Sequence, residues 1–230
     1  MRTNKTLLAL AALSAGAIAT QAASSIVYSN ATTYSGTYLN PGANEVGDEI
    51  ILGAGPRFAA SFRFEYFGGN FHSGGVTNEQ FRLRFYQNDG TDIGNNTRLP
   101  SSVFYDSGVL DLADPTEVDA SGRATYQFDL TYAPILLPDR FTWSVQFFGI
   151  DGGESAGPSL YSPPTVGMSE NDFWFNTGST WELRGTNGIA FNFGSSLVAT
   201  TVPEPSSYVL AILGGLCGLA LVGRRRARKS

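Results

Sequence analysis

The middle of the chain alternates. Ser61-Phe62-Arg63-Phe64-Glu65-Tyr66 switches between apolar and polar side chains at each step, and Phe81-Arg82-Leu83-Arg84-Phe85 does the same. Tyr126-Gln127-Phe128-Asp129-Leu130 and Phe141-Thr142-Trp143-Ser144-Val145-Gln146-Phe147 repeat the pattern. A period of two sends successive side chains to opposite faces of a strand, one buried and one wet. It predicts strands at these four places, with Trp143 inward beside Phe141, Val145 and Phe147. Shorter runs predict strands at 25–28, 49–52, 103–106, 172–175, 181–184 and 188–193. Glycine and asparagine clusters at 68–70, 73–75, 88–90, 151–153 and 186–188 supply the turns between them.

No ten-residue window of the body carries an apolar stripe at helical spacing. Many strands without helices predict an all-β fold, an antiparallel two-sheet sandwich of jelly-roll type. The domain is expected over 24–194, with 195–201 as a short linker. There is no internal repeat of fixed period, which argues against a propeller or a β-helix.

At both ends the alternation stops. Arg2 and Lys5 precede an apolar stretch over 6–19, and Thr20-Gln21-Ala22-Ala23 offers small residues for cleavage. This reads as a secretory signal peptide over 1–23, with a first membrane helix as the alternative. At the other end, Val202-Pro203-Glu204-Pro205-Ser206 leads into fifteen uncharged residues, 208–222, and then Arg224, Arg225, Arg226, Arg228 and Lys229. The two prolines hold the segment around Glu204 extended and keep it out of the helix that follows. A helix of that length falls slightly short of a ~30 Å hydrocarbon core. Flanking residues extend the expected span to 207–223, and the long arginines snorkel. The basic cluster is expected to stay cytoplasmic, which leaves the body outside the inner membrane.

This order of parts over 202–230 resembles the PEP-CTERM sorting signal of exported bacterial proteins. The resemblance implies recognition of Pro203, Glu204 and Pro205 by an exosortase, a membrane-embedded cysteine protease or transpeptidase. It also implies prior passage through the Sec translocon and signal peptidase, and retention by the basic cluster Arg224, Arg225, Arg226, Arg228 and Lys229. The expected itinerary is an inner-membrane-anchored precursor, then the cell surface or extracellular matrix. The family's link to exopolysaccharide producers makes polysaccharide a possible partner. A permanent C-terminal anchor is the competing reading of the same residues.

Charge sharpens this picture. All lysines lie in the two ends, so the body holds eight arginines against nineteen acids, a net of −11 that the whole-chain value of −5 conceals. Such a surface argues against nucleic acid and anionic lipid as partners. The only cysteine, Cys217, sits in the apolar tail, so the body must be stabilised by packing without disulfides.

Candidate chemistry is sparse. His72 is the only histidine and cannot form a His-rich zinc site. No Gly-x-Ser-x-Gly elbow accompanies it. Glu65, beside Arg63, reads as a surface charge pair. No cofactor is expected, and the body is read as non-enzymatic. The loop Asn88-Asp89-Gly90-Thr91-Asp92-Ile93-Gly94-Asn95-Asn96 gathers oxygens that suit calcium, through Asp89, Asp92 and Asn95. The same residues equally serve turns. Exposed aromatics stack on sugars. In Phe173-Trp174-Phe175, alternation sets Trp174 opposite its neighbours, which makes it the foremost candidate for an exposed ring. A carbohydrate-binding module is therefore the alternative function, ahead of a polysaccharide-active enzyme.

Overall fold

The computed structural model describes residues 23–71, 78–95, 97–112, 117–118, 123–132, 135–185 and 191–201. In chain order the strands are β1 (Ser24–Asn30), β2 (Tyr34–Tyr38), β3 (Glu45–Ile51), β4 (Phe58–Gly69), β5 (Gln80–Tyr86), β6 (Asp92–Gly94), β7 (Thr97–Arg98), β8 (Val103–Asp111) and β9 (Glu117–Val118). They continue with β10 (Arg123–Asp129), β11 (Arg140–Phe148), β12 (Ser155–Tyr161), β13 (Met168–Ser169), β14 (Asp172–Asn176), β15 (Trp181–Gly185), β16 (Asn192–Phe193) and β17 (Ser195–Thr200). There is no helix among the described residues, and every pairing is antiparallel.

Two large sheets carry the fold. The first runs β1-β17-β4-β10-β9, with β12 joining β4 and also pairing β2 and β16. The second runs β15-β14-β3-β11-β5-β8, with β13 on β3. The four alternating runs became β4, β5, β10 and β11, the long strands at the centre. Their inward aromatics make the core: Phe62 of the first sheet meets Phe85 and Trp143 of the second at centroid distances of 5.1 and 5.2 Å, edge to face. Trp143 is fully buried with Phe141, Val145 and Phe147, as its phase predicts. Edge-to-face rings add to the burial of their area, which suits a body without disulfides.

One expectation is overturned. Residues 195–201 are not a linker: Ser195–Thr200 is β17, a strand between β1 and β4. Its residues Ser195, Leu197 and Ala199 alternate into the core. Small and hydroxyl side chains hid this strand, because its propensity is weak and its neighbours on both sides supply the pairing. Of the run expected at 188–193, Asn192–Phe193 is strand and Phe191 is not, while 186–190 lie outside the described residues. β12 was missed because glycine and proline interrupt it. There Gly157 is required, since a Cβ would lie 1.6 Å from the Leu39 carbonyl oxygen.

Candidate functional site

β1 and β17 pair from Ser24↔Thr200 to Asn30↔Ser195, and the Thr201 amide donates to the Ala23 carbonyl at 3.3 Å. The first and last described residues therefore leave the domain side by side. Pro203, Glu204, Pro205, the expected span 207–223, Arg224, Arg225, Arg226, Arg228 and Lys229 lie outside the described residues, as do His72 and residues 1–22 of the expected signal peptide 1–23. Among the described residues no helix is long and apolar enough to cross a membrane.

The richest polar constellation on the domain is one that the sequence does not announce. Alternation in β3 turns Val46, Asp48 and Ile50 inward and Glu45, Gly47 and Glu49 outward. On that outer face Glu45 accepts from Arg84 Nη1 at 2.7 Å, Tyr86 hydroxyl at 3.0 Å, Ser144 Oγ at 2.5 Å and Asn176 Nδ2 at 3.3 Å. These donors come from β5, β11 and β14, so only the register of four strands assembles them. Burial, then the neighbouring Glu45 charge, pushes the Tyr86 hydroxyl up to about 12. Tyr86 meets Trp181 edge to face at 5.3 Å, and Trp181 remains half-buried. Farther along the face Glu49 receives Asn88 Nδ2 and, at 3.1 Å, Arg140 Nη1. Burial raises the Glu49 carboxyl above its ordinary range.

Trp174 belongs to this face, and its expected exposure is corrected. It does point away from Phe173 and Phe175, as alternation requires, yet it is 0% exposed. Its cross-strand neighbours are Gly47 on β3 and Leu183 on β15, and Ser144 follows beyond Gly47. The indole lies close enough to Glu49 to help hold its charge, although Nε1 closes no hydrogen bond of ordinary geometry. A ring so enclosed cannot stack on a sugar.

The oxygen-rich loop serves as turn chemistry. Asp89 accepts from Ser102 through its amide at 2.9 Å and its hydroxyl at 2.7 Å, and Asp92 accepts the Gly94 amide at 2.8 Å. Asn95 occupies the left-handed region at φ 55°, which asparagine tolerates. Among the described residues no three His, Cys, Asp or Glu side chains converge as metal ligands.

Glu65 also differs from expectation. It pairs across strands with Arg123 Nη1 at 3.2 Å and accepts the Tyr161 hydroxyl at 2.6 Å. The Arg123 guanidinium lies 4.1 Å over the Tyr34 ring. The partner expected next door, Arg63, sits on the same strand but is not the one chosen, because register sets Arg123 opposite Phe67, diagonal to Glu65.

Between the sheets lies one further acid. Asp48 is fully buried and accepts Ser169 Oγ at 2.6 Å and the Phe193 amide at 2.8 Å, so it ties the second sheet to β16 of the first. Burial pushes its carboxyl well above the usual range, against the pull of those two hydrogen bonds. Comparison with protein-family models, curated proteins and solved structures finds no match for this chain.

Proposed function

We propose that the chain is an exported, non-enzymatic β-sandwich protein delivered to the cell envelope or extracellular matrix through a PEP-CTERM-type tail, in an exopolysaccharide or biofilm setting. One observation carries the reading: β1 and β17 pair with each other and the Thr201 amide donates to the Ala23 carbonyl, so the two segments read as tags join the domain side by side at one end. Among the described residues the core cluster runs from Val27 to Ala199 and draws on both sheets. Repeated passage of the chain between the two sheets supports the jelly-roll-like form of the sandwich.

In this account the signal peptide leads through the Sec translocon, signal peptidase cuts near Ala22 or Ala23, and the tail halts in the inner membrane. An exosortase then recognises Pro203-Glu204-Pro205. The intact mass of the mature protein from its host reports both cut sites and any attached glycan or lipid. Pro203→Ala together with Pro205→Ala is expected to abolish C-terminal processing. Unchanged processing would remove the recognition role of the motif.

A second reading, polysaccharide binding, is favoured by one contact. With Trp174 enclosed, the half-buried Trp181, edge-on to Tyr86, is the ring on that face positioned to meet a sugar. On a glycan array, binding lost in Trp181→Ala and kept in a surface variant elsewhere supports this reading. Absence of binding by the native domain ends it.

A further inference from the structure

Seven large hydrophobic side chains stand exposed among the described residues, and four of them surround the place where the tail departs. These are Ile26 at 50%, Tyr132 at 89%, Leu136 at 64% and Met168 at 58% exposure. Their grouping follows from register. Ser24, Thr200 and Phe58 lie in line across β1, β17 and β4, and Leu136 bridges to Phe58. Leu130 and Ile135 hydrogen-bond Ala60 and Ala59, so Tyr132 extends past the same end. Met168 pairs with Ile51 opposite Arg140, the residue that enters β11 from this loop. Gly53, two residues after Ile51, donates to the Val27 carbonyl of β1 at 2.8 Å, next to Ile26. The turns of the opposite end, at 70, 151–154 and 177–180, contribute none of the seven.

We propose that this rim rests on the lipid surface of the membrane that holds the tail. The inference depends on reading 207–223 as a membrane segment. From Thr201 to Tyr208, where the uncharged run begins, seven residue steps reach at most about 25 Å when fully extended. The rim is therefore held near the headgroups, and a tether converts a weak apolar contact into a populated one. Tyrosine, leucine, isoleucine and methionine suit the boundary between headgroups and acyl chains. Two pairs of charges around them are matched, Arg57 Nε with Asp139 at 2.8 Å and Arg140 with Glu49, while the exposed Asp129 near Tyr132 is held by the Thr131 amide and hydroxyl and stays negative. Glu170, exposed beside Met168, makes a zwitterionic surface the better match than an anionic one.

The test uses the full chain with Cys217→Ser, placed one copy per lipid nanodisc and spin-labelled at a single new cysteine. Leu136→Cys and Tyr132→Cys report the rim, and Ser179→Cys reports the far end. The ratio of collisions with lipid-soluble oxygen to collisions with a water-soluble nickel chelate is expected to be severalfold higher at both rim sites than at 179. It should fall at 136 when Tyr132→Ser and Met168→Ser are added, with the thermal transition unchanged. Discs that carry the chain but show equal water access at all three sites overturn the rim contact and leave the tail reading standing. A chain that does not partition into discs overturns both. Protection found only in crowded vesicles, and lost in single-copy discs, assigns the rim to a second copy and overturns the lipid contact.

Discussion

Glu45 and Asp48 stand three residues apart on β3, on opposite faces, at 4% and 0% exposure. The two buried acids are accommodated in different ways. Glu45 has a guanidinium 2.7 Å away and three further donors, so its charge is met by a charge. Asp48 has one hydroxyl and one backbone amide, and among the described residues no cation is bonded to it. Its carboxyl rises instead, because in an apolar surround the proton costs less than the bare charge. The outer face thus supports an ion pair where the inner face supports a hydrogen-bonded acid. The difference lies in which side chains the neighbouring strands bring alongside: Arg84, Tyr86, Ser144 and Asn176 gather on the outer face, whereas Phe85, Trp143 and Phe173 line the inner one.

The largest effect is expected from Arg84→Met. It strands Glu45 beneath Tyr86 and Ser144, and removing one partner of a buried pair costs about 3–5 kcal/mol. The urea midpoint should drop accordingly, while Arg84→Met combined with Glu45→Gln recovers most of the loss. If the single variant costs less than the double, the pair is not stabilised as described. Next comes Asp48→Leu, which leaves the buried Phe193 amide without its acceptor, at about 1–3 kcal/mol.

Asp48→Asn keeps an acceptor and isolates the proton. Folded Asp48 holds its proton to higher pH than the unfolded carboxyl near ~3.9 does. The native state therefore binds more protons in that window, and the stability present below the unfolded value is lost as pH rises through the folded one. The Asn variant should gain on the native chain as pH increases, read from paired denaturation curves. A difference independent of pH would contradict the raised carboxyl. Asp106 provides the opposite slope. Hydrogen bonds from Arg82 hold it at about 2, so its contribution is present above ~3.9 and fades as pH falls toward 2. Asp106→Asn should flatten only the acid limb. The smallest effect belongs to Glu182→Gln: its partner Arg184 lies 2.8 Å away, but side chains 48% and 43% exposed make the pair worth about 0–1 kcal/mol.

Much of the fold could be read directly from residues 61–66, 81–85, 126–130 and 141–147, because alternation is a local property and aromatic side chains bury wherever they find a second sheet. The inward phase of Trp143 followed from the same rule. β17 did not, since Ser195-Ser196-Leu197-Val198-Ala199-Thr200 gains its strand from pairing with β1 and β4 rather than from its own propensity. Trp174 shows the limit most sharply. Alternation gave its face correctly, but whether the ring on that face is wet depended on pairing with β3, a strand distant along the chain.

By itself, then, the order of residues determined an all-β domain with inward aromatics, an acidic body and two apolar termini of different grammar. Each of these depends on near neighbours or on composition. Tertiary structure alone decided that Glu45 meets Arg84, that Asp48 is enclosed between sheets, and that Ile26, Tyr132, Leu136 and Met168 converge where the tail departs. Those are matters of register between segments up to 145 residues apart, and local pattern carries no information on which strand will lie beside which.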